Sequence, residues 1–209
     1  NIRNNYDYIT VVEIYFYQSY EFKNTKFLDK KLNEFNKKNI LIIDCGSNIG
    51  CSTNYFLENY QNSKVVSIEP DKENFELLNK NIYDSERVEL INSAVSNKVI
   101  NFKVIDDPNN SNDYRGKNLK ETSNINSLQS ITINQILLNK ENKNFYPYLI
   151  KIDIEGHEKQ LFESNTEWID HFKIIIIETH DWMLPETSNS KNFFKQISAS
   201  MDKYDRDII

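Results

Sequence analysis

The sequence predicts an α/β chain built on a doubly wound, mostly parallel sheet with helices on both faces. Three observations predict it. Short continuous apolar runs, Ile40-Leu41-Ile42-Ile43 and Ile174-Ile175-Ile176-Ile177 among them, have the texture of strands buried on both faces. Segments of helical periodicity alternate with these runs, as parallel crossovers require. Acids and glycines stand where the apolar runs stop, and an open parallel sheet keeps its ligand sites at the carboxyl ends of its strands.

The elements follow in order. Residues 10–17, T-V-V-E-I-Y-F-Y, carry the β-branched and aromatic content of a strand. From residue 20 to 38, Phe22, Phe27, Leu28, Leu32 and Phe35 recur at helical spacing. Residues 1–38 therefore predict a strand-and-helix cap on the same domain as residues 39–209. A first core strand at 40–44 is broken by Gly46 to Gly50, and a helix at 52–60 follows. Residues 64–69 form a second strand, stopped by Pro70. Asp71 is a good N-cap for a helix whose apolar face holds Phe75, Leu77, Leu78 and Ile82. Residues 88–91 are a third strand, and 98–105 an added strand or hairpin arm. Residues 106–127 are the most polar stretch and too long for an ordinary connector. They read either as a surface loop or as a lid over substrate. A short strand leading into a helix at 130–139, a strand at 148–154, a helix from 158, a strand at 172–179 and a last helix at 193–201 complete the chain. No internal repeat and no second domain is visible.

Composition narrows the function. The chain has 209 residues, of which 39% are hydrophobic and 12% aromatic, enough for a core and against wholesale disorder. A net charge of −6 argues against broad phosphate-backbone binding, so no nucleic-acid partner is expected. No apolar run approaches the roughly 18 residues of a membrane span, and the start, Asn1-Ile2-Arg3, has no apolar leader segment. Beginning without Met, the chain reads as a trimmed or excised piece. Cys45 and Cys51 match no zinc spacing and read as reduced packing thiols, which favours the cytoplasm.

The chemistry gathers at strand ends. In I-L-I-I-D-C-G-S-N-I-G (residues 40–50), Asp44 closes the first strand, and Gly46 and Gly50 bracket the turn before a helix. Glycines there permit left-handed backbone and close approach of a ligand. The dinucleotide fingerprint G-x-G-x-x-G is not met, since residues 46–51 read G-S-N-I-G-C. A pyrophosphate prefers bare amides without a neighbouring carboxylate. An acid at 44 suits a ligand carrying positive charge. Glu69 ends the second strand, placed to accept both hydroxyl protons of an adenosine ribose. Lys151-Ile152-Asp153-Ile154-Glu155-Gly156-His157-Glu158 crowds ionisable groups at the end of a buried strand, where Lys151 must be paired or reach the edge. Glu178, His180 and Asp181 follow the Ile-rich strand, and period-two alternation puts Glu178 and His180 on one face.

The stretches D-C-G-S-N-I-G, S-I-E-P-D, N-S-A-V-S and L-I-K-I-D-I-E-G-H-E, spread over residues 40–180, together resemble the FkbM family of S-adenosylmethionine-dependent methyltransferases. K-I-D-I-E-G-H-E is the most specific of them. The resemblance implies a class I Rossmann-like methyltransferase fold and O-methylation of a hydroxyl, often on a sugar or secondary metabolite. By position, Asp44, Gly46, Ser47, Asn48 and Gly50 would shape the methionine side of the cofactor site. Glu69 would hold the ribose, and Asn92, Ser93 and Ala94 would lie near the adenine. Asp153 would face the transferring methyl. Members usually continue into a closing pair of strands, whereas this sequence ends at Asp207-Ile208-Ile209, so the sheet edge is expected to be truncated or completed elsewhere.

Methyl transfer to an alcohol needs alignment and a group that takes the proton. The candidates are Asp153, Glu155, His157 and His180, with His180 or Asp153 favoured as base. No metal ligands are assigned, and a divalent ion between Asp153 and Glu178 is the rival arrangement. The acceptor is expected to be a small molecule or glycan. Two other classes stay open: a catalytically silent cofactor-binding module and, further off, a nicotinamide-dependent oxidoreductase.

Overall fold

A computed structural model of the chain describes residues 1–21, 38–106, 117–124, 126–181 and 188–203. Its centre is a parallel sheet of five strands in the order β3-β2-β1-β7-β8. These are β1 (Ile40–Cys45), β2 (Ser63–Ile68), β3 (Val88–Ile91), β7 (Tyr146–Ile152) and β8 (Ile174–Ile177). β1 is buried along its whole length, pairing with β2 on one side and β7 on the other. The chain leaves β1 toward β2 and later returns on its far side at β7. The switch point of the winding, where such sheets hold ligands, therefore lies at the carboxyl end of β1.

Alternation along the strands feeds two apolar layers. Leu41, Ile43, Cys45, Val66, Ile68, Ile150 and Ile152 face one way. They pack under α4 (Ile133–Leu138), α5 (Glu158–Leu161), the 3-10 turn Glu167–His171 and α6 (Ser190–Lys203). Ile40, Ile42, Val65 and Leu149 face the other way, against Phe56 and Leu57 of α2 (Cys51–Asn59). α3 (Lys72–Asn81) starts at Asp71, whose side chain accepts the Asn74 amide as an N-cap should. Both cysteines are buried thiols, and burial pushes the Cys51 thiol up to about 11.

Two expectations are corrected. Residues 10–17 are not a strand. α1 (Asn5–Val11) runs into a single π-helical turn, Val12–Phe16. Asn4 caps α1 by accepting the amides of Tyr6 and Asp7. Val11 and Ile14, three apart, then pack on Ile49, Cys51 and Leu77. β-propensity is a weak preference that depends on a sheet surface to pack on, and here cap and packing decide otherwise. Within the polar segment 106–127, Lys117–Glu121 forms β5, antiparallel to β4 (Asn101–Asp106), which also pairs with β6 (Leu128–Gln129). Main-chain pairing does not need apolar side chains, and lysines suit a sheet edge. The remainder of that segment and its reading as a lid, most of the helix expected at 20–38, and the final Asp207-Ile208-Ile209 lie outside the described residues. Among the described residues no helix is long and apolar enough to cross a membrane.

Candidate active site

The turn after β1 is built for close approach. Gly46 has φ +83, and a Cβ there would sit 1.8 Å from the Asp153 carbonyl oxygen. Gly50 has φ +92, and a Cβ there would meet Leu78 Cδ1 at 2.8 Å. Asn48 between them is also left-handed, at φ +48. Ser47 locks the turn: its hydroxyl donates to the Asp44 carbonyl at 2.9 Å and accepts the Ile68 amide at 3.0 Å.

The two acids expected to share one cradle do different work. Asp44 is fully buried. Its Oδ2 accepts the hydroxyls of Ser52 and Thr53 at 2.6 and 2.7 Å. Its Oδ1 lies 3.3 Å from Lys151 Nζ, so its charge is balanced from within the protein. Lys151 is the odd cation of the buried strand, and it is paired as a buried charge must be. It donates to the Gly46 carbonyl at 2.8 Å and lies 3.4 Å from Asp153 Oδ2. Burial disfavours the ammonium, but Tyr20, Asp153 and Asp44 together hold its pKa well above the usual lysine value. Tyr20, whose ring packs on Tyr55 and Phe56, adds to the field at Lys151 from the N-terminal cap. Burial pushes its phenol up as well. Nothing in the local sequence around Tyr20 signals that role.

Glu69, by contrast, reaches the turn. Its Oε2 accepts the Asn48 amide and its Oε1 the Asp71 amide, both at 2.9 Å. Burial raises its pKa to about 7 against the pull of these two amides. Asn92 Nδ2 donates to the carbonyls of Glu69 and Pro70, which shapes the end of β2. Ser93 donates to the Gln129 carbonyl at 2.5 Å, and Ala94 lines a small cavity of about 100 Å³ beside β4 and β5.

The second cluster lies at the ends of β7 and β8. His180 is fully buried, and its Nδ1 is 2.8 Å from Oε1 of the equally buried Glu158. Its Nε2 faces three carboxylates: Glu155 at 3.4 Å, Glu178 at 3.6 Å and Asp153 at 3.7 Å. Burial opposes a charged ring, yet the Glu158 hydrogen bond and the charges of Glu158, Glu155 and Asp153 hold the His180 pKa above its ordinary value. Glu155 is left-handed at φ +52 and Gly156 at φ +93. This reversal after β7 brings the Glu155 carboxylate back over His180. A bulky residue in that region is strained, the kind of strain that collects at functional sites. Glu178 and His180 do share a face. Asp181 turns away and accepts the Ser190 amide at the start of α6.

The structure separates His157 from this group. It lines the small cavity with Gln160 and Glu121 instead, and burial lowers its pKa. Conversely, Glu158, for which the sequence names no role, is the partner of His180. Its place at the start of a helix right after the strand-end acids was the signal.

Residues 44–207 match the methyltransferase FkbM domain family. Among solved structures, the chain is similar to the plantazolicin methyltransferase BpumL in complex with SAH, at 13% identity and a TM-score of 0.36, covering 83% of this chain and 55% of that one. The chain thus spans about half the length of that protein. It is also similar to a protein from Staphylococcus aureus described as a caffeoyl-CoA O-methyltransferase, at 14% identity and a TM-score of 0.40, covering 95% of this chain and 88% of that one. No curated protein matches the sequence.

Proposed function

Because the chain belongs to the methyltransferase FkbM domain family, a family of S-adenosylmethionine-dependent enzymes, we propose that it methylates a hydroxyl of a sugar, a glycan or another small hydroxylated metabolite. One observation carries this reading: Asp153, Glu155, Glu178 and His180 converge at the ends of β7 and β8, one and two strands away from β1 and its glycine turn. A hydroxyl, unlike a neutral amine, must lose its proton as it attacks.

The residues on the β1–β2 side fit the cofactor. Glu69 Oε2 accepts one amide, and a carboxylate oxygen can accept two donors, so capacity remains for a ribose hydroxyl. Gly46 and Gly50 let the turn approach a ligand without side chains in the way. Asn92, Ser93 and Ala94 are assigned to the adenine side. S-adenosylmethionine, when bound, supplies a methyl on a positively charged sulfur. The chain's own part is alignment and proton removal. Lys151 ties Asp44, the Gly46 carbonyl and Asp153 into one unit. That unit fixes the glycine turn against the strand that presents Asp153. His180 or Asp153 then takes the acceptor's proton as methyl transfer proceeds. The two buried thiols favour a reducing, cytoplasmic setting.

Calorimetry with S-adenosylhomocysteine tests the first half. Mass gain of one methyl across a panel of sugars, nucleotide sugars and glycans tests the second. We expect micromolar binding and methyl gain on at least one hydroxylated acceptor, lost in Asp153→Ala. Failure to bind S-adenosylhomocysteine, or a melting shift with NAD alone, overturns the reading. Binding without turnover on any acceptor reduces the chain to a silent cofactor-binding module.

A further inference from the structure

The nitrogen at the centre of the second cluster is in an unusual position. His180 Nε2 is buried and has no hydrogen-bond partner among the described residues, and the same holds for Asp153 Oδ1. A charged imidazole edge would draw a carboxylate in to about 2.8 Å. The other edge of the same ring has done so, with Nδ1 at 2.8 Å from Glu158. Around Nε2 the three carboxylates instead stand off at 3.4, 3.6 and 3.7 Å.

A shared ion would account for that spacing. Divalent ions that take nitrogen and oxygen ligands sit at about 2.0–2.2 Å from each. Two such ligands at a near-tetrahedral angle are then about 3.4 Å apart. Ligand atoms of Asp153, Glu155 and His180 all lie within 4.8 Å of one another.

We propose that His180 Nε2, Asp153 and Glu155 form a binding site for a divalent first-row metal ion, and that this ion, rather than a free imidazole, activates the acceptor hydroxyl. The ligand set is held from behind. The buried Glu158 accepts from Nδ1, which leaves the Nε2 lone pair pointing into the cluster. A carboxylate behind a ligating histidine is a common support for metal sites. Lys151 holds Oδ2 of Asp153 at 3.4 Å, which leaves Oδ1 on the His180 side. The left-handed Glu155 closes the third position. One imidazole with two carboxylates suits manganese, iron, cobalt or zinc better than magnesium or calcium, which take oxygens. Three protein ligands leave positions for an acceptor's oxygens.

The use of the ion rests on the methyl-transfer reading above, whereas the site itself rests on geometry. A hydroxyl next to the ion becomes more acidic. Its proton passes to the Glu178 carboxylate and on to water. The freed oxygen pair forms the new O–C bond, and the pair of the broken C–S bond stays on sulfur.

The test uses the full chain after chelator treatment. Mn2+ alone is titrated in and followed by calorimetry and by electron paramagnetic resonance. We expect one tight site with nitrogen coupling from an imidazole. Affinity should fall at least tenfold in Glu155→Gln, whose side chain is partly exposed and whose loss should not unfold the protein, and further in His180→Ala. Glu158→Gln should weaken binding about 10- to 100-fold, the usual effect of losing a support behind a ligand. Methyl transfer should vanish with chelator and return with Mn2+. Absence of a Mn2+ site, a site indifferent to Glu155→Gln and His180→Ala, or undiminished methyl transfer in chelator would each overturn the proposal. The last result would leave the transferase reading intact, with His180 as its base. Loss of S-adenosylhomocysteine binding in the untreated protein would overturn that reading while the Mn2+ titration still decides the site.

Discussion

The carboxyl edge of the sheet has two halves built from the same residue types with opposite bookkeeping. At β1 and β2, the acids are held mainly within the protein: Asp44 Oδ2 by the hydroxyls of Ser52 and Thr53, its Oδ1 only by the charge of Lys151 at 3.3 Å, and Glu69 by two backbone amides. At β7 and β8, acids converge on a buried nitrogen that has no hydrogen-bond partner among the described residues. Satisfied polar groups make a rigid platform. Unsatisfied ones hold a position for something else to fill. Under the proposed function, the first half would shape the cofactor site and the second would react, and Lys151 joins them through Asp44 and Asp153.

Lys151→Met should break the comparison most severely. It keeps the bulk but leaves Asp44 as a buried charge without its cation, which typically costs about 3–5 kcal/mol. Urea unfolding would measure it. A loss under about 1 kcal/mol would mean that Asp44 draws its stability from the two hydroxyls alone.

Glu69 offers the next largest effect, read through pH. Its folded pKa, about 7, lies above the ordinary 4.5, so the folded state holds this proton more tightly than the unfolded chain. The stability it contributes is complete below about pH 4.5 and is lost as pH rises through about 7. The drop amounts to about 3 kcal/mol. Glu69→Gln should remove this slope from unfolding curves taken between pH 4.5 and 8, and should weaken S-adenosylhomocysteine binding about tenfold through loss of a charged acceptor. An unchanged slope would place the proton elsewhere.

The smallest effect sharpens the comparison. Thr53→Val removes one donor to Asp44 while keeping the shape. A buried acceptor short of one partner costs about 1–2 kcal/mol. Thermal unfolding should show that loss, and S-adenosylhomocysteine affinity should stay within twofold, because the platform is held at several other points.

Much of the core was legible in the chain. β1, β2 and β7 announce themselves as apolar runs, because a strand buried on both faces leaves little room for polar side chains. The Ile-rich β8 reads the same way but, like β3, lies at a sheet edge and is only half-buried, contrary to the expectation. The positions of Asp44, Gly46, Glu69 and Asp153 followed, since strand ends are where the apolar runs stop. The periphery was harder. Residues 10–17 have the composition of a strand, but the β3 and β8 edges of the sheet did not recruit them, and a cap at Asn4 with packing on Ile49 made a helix. β5, K-N-L-K-E, carries no apolar alternation and is set by pairing with β4.

The sequence by itself determined the central sheet, the glycine turn and the set of acids and histidines at its edge, because burial and backbone freedom act locally and leave periodic marks. Only the tertiary structure decided which of those groups meet. Lys151 joining Asp44 to Asp153, Glu158 behind His180 and His157 turned aside all depend on distances across elements. A side chain's charge is written in its residue type, but its partner is chosen by packing, and in a buried site the partner decides what the charge can do.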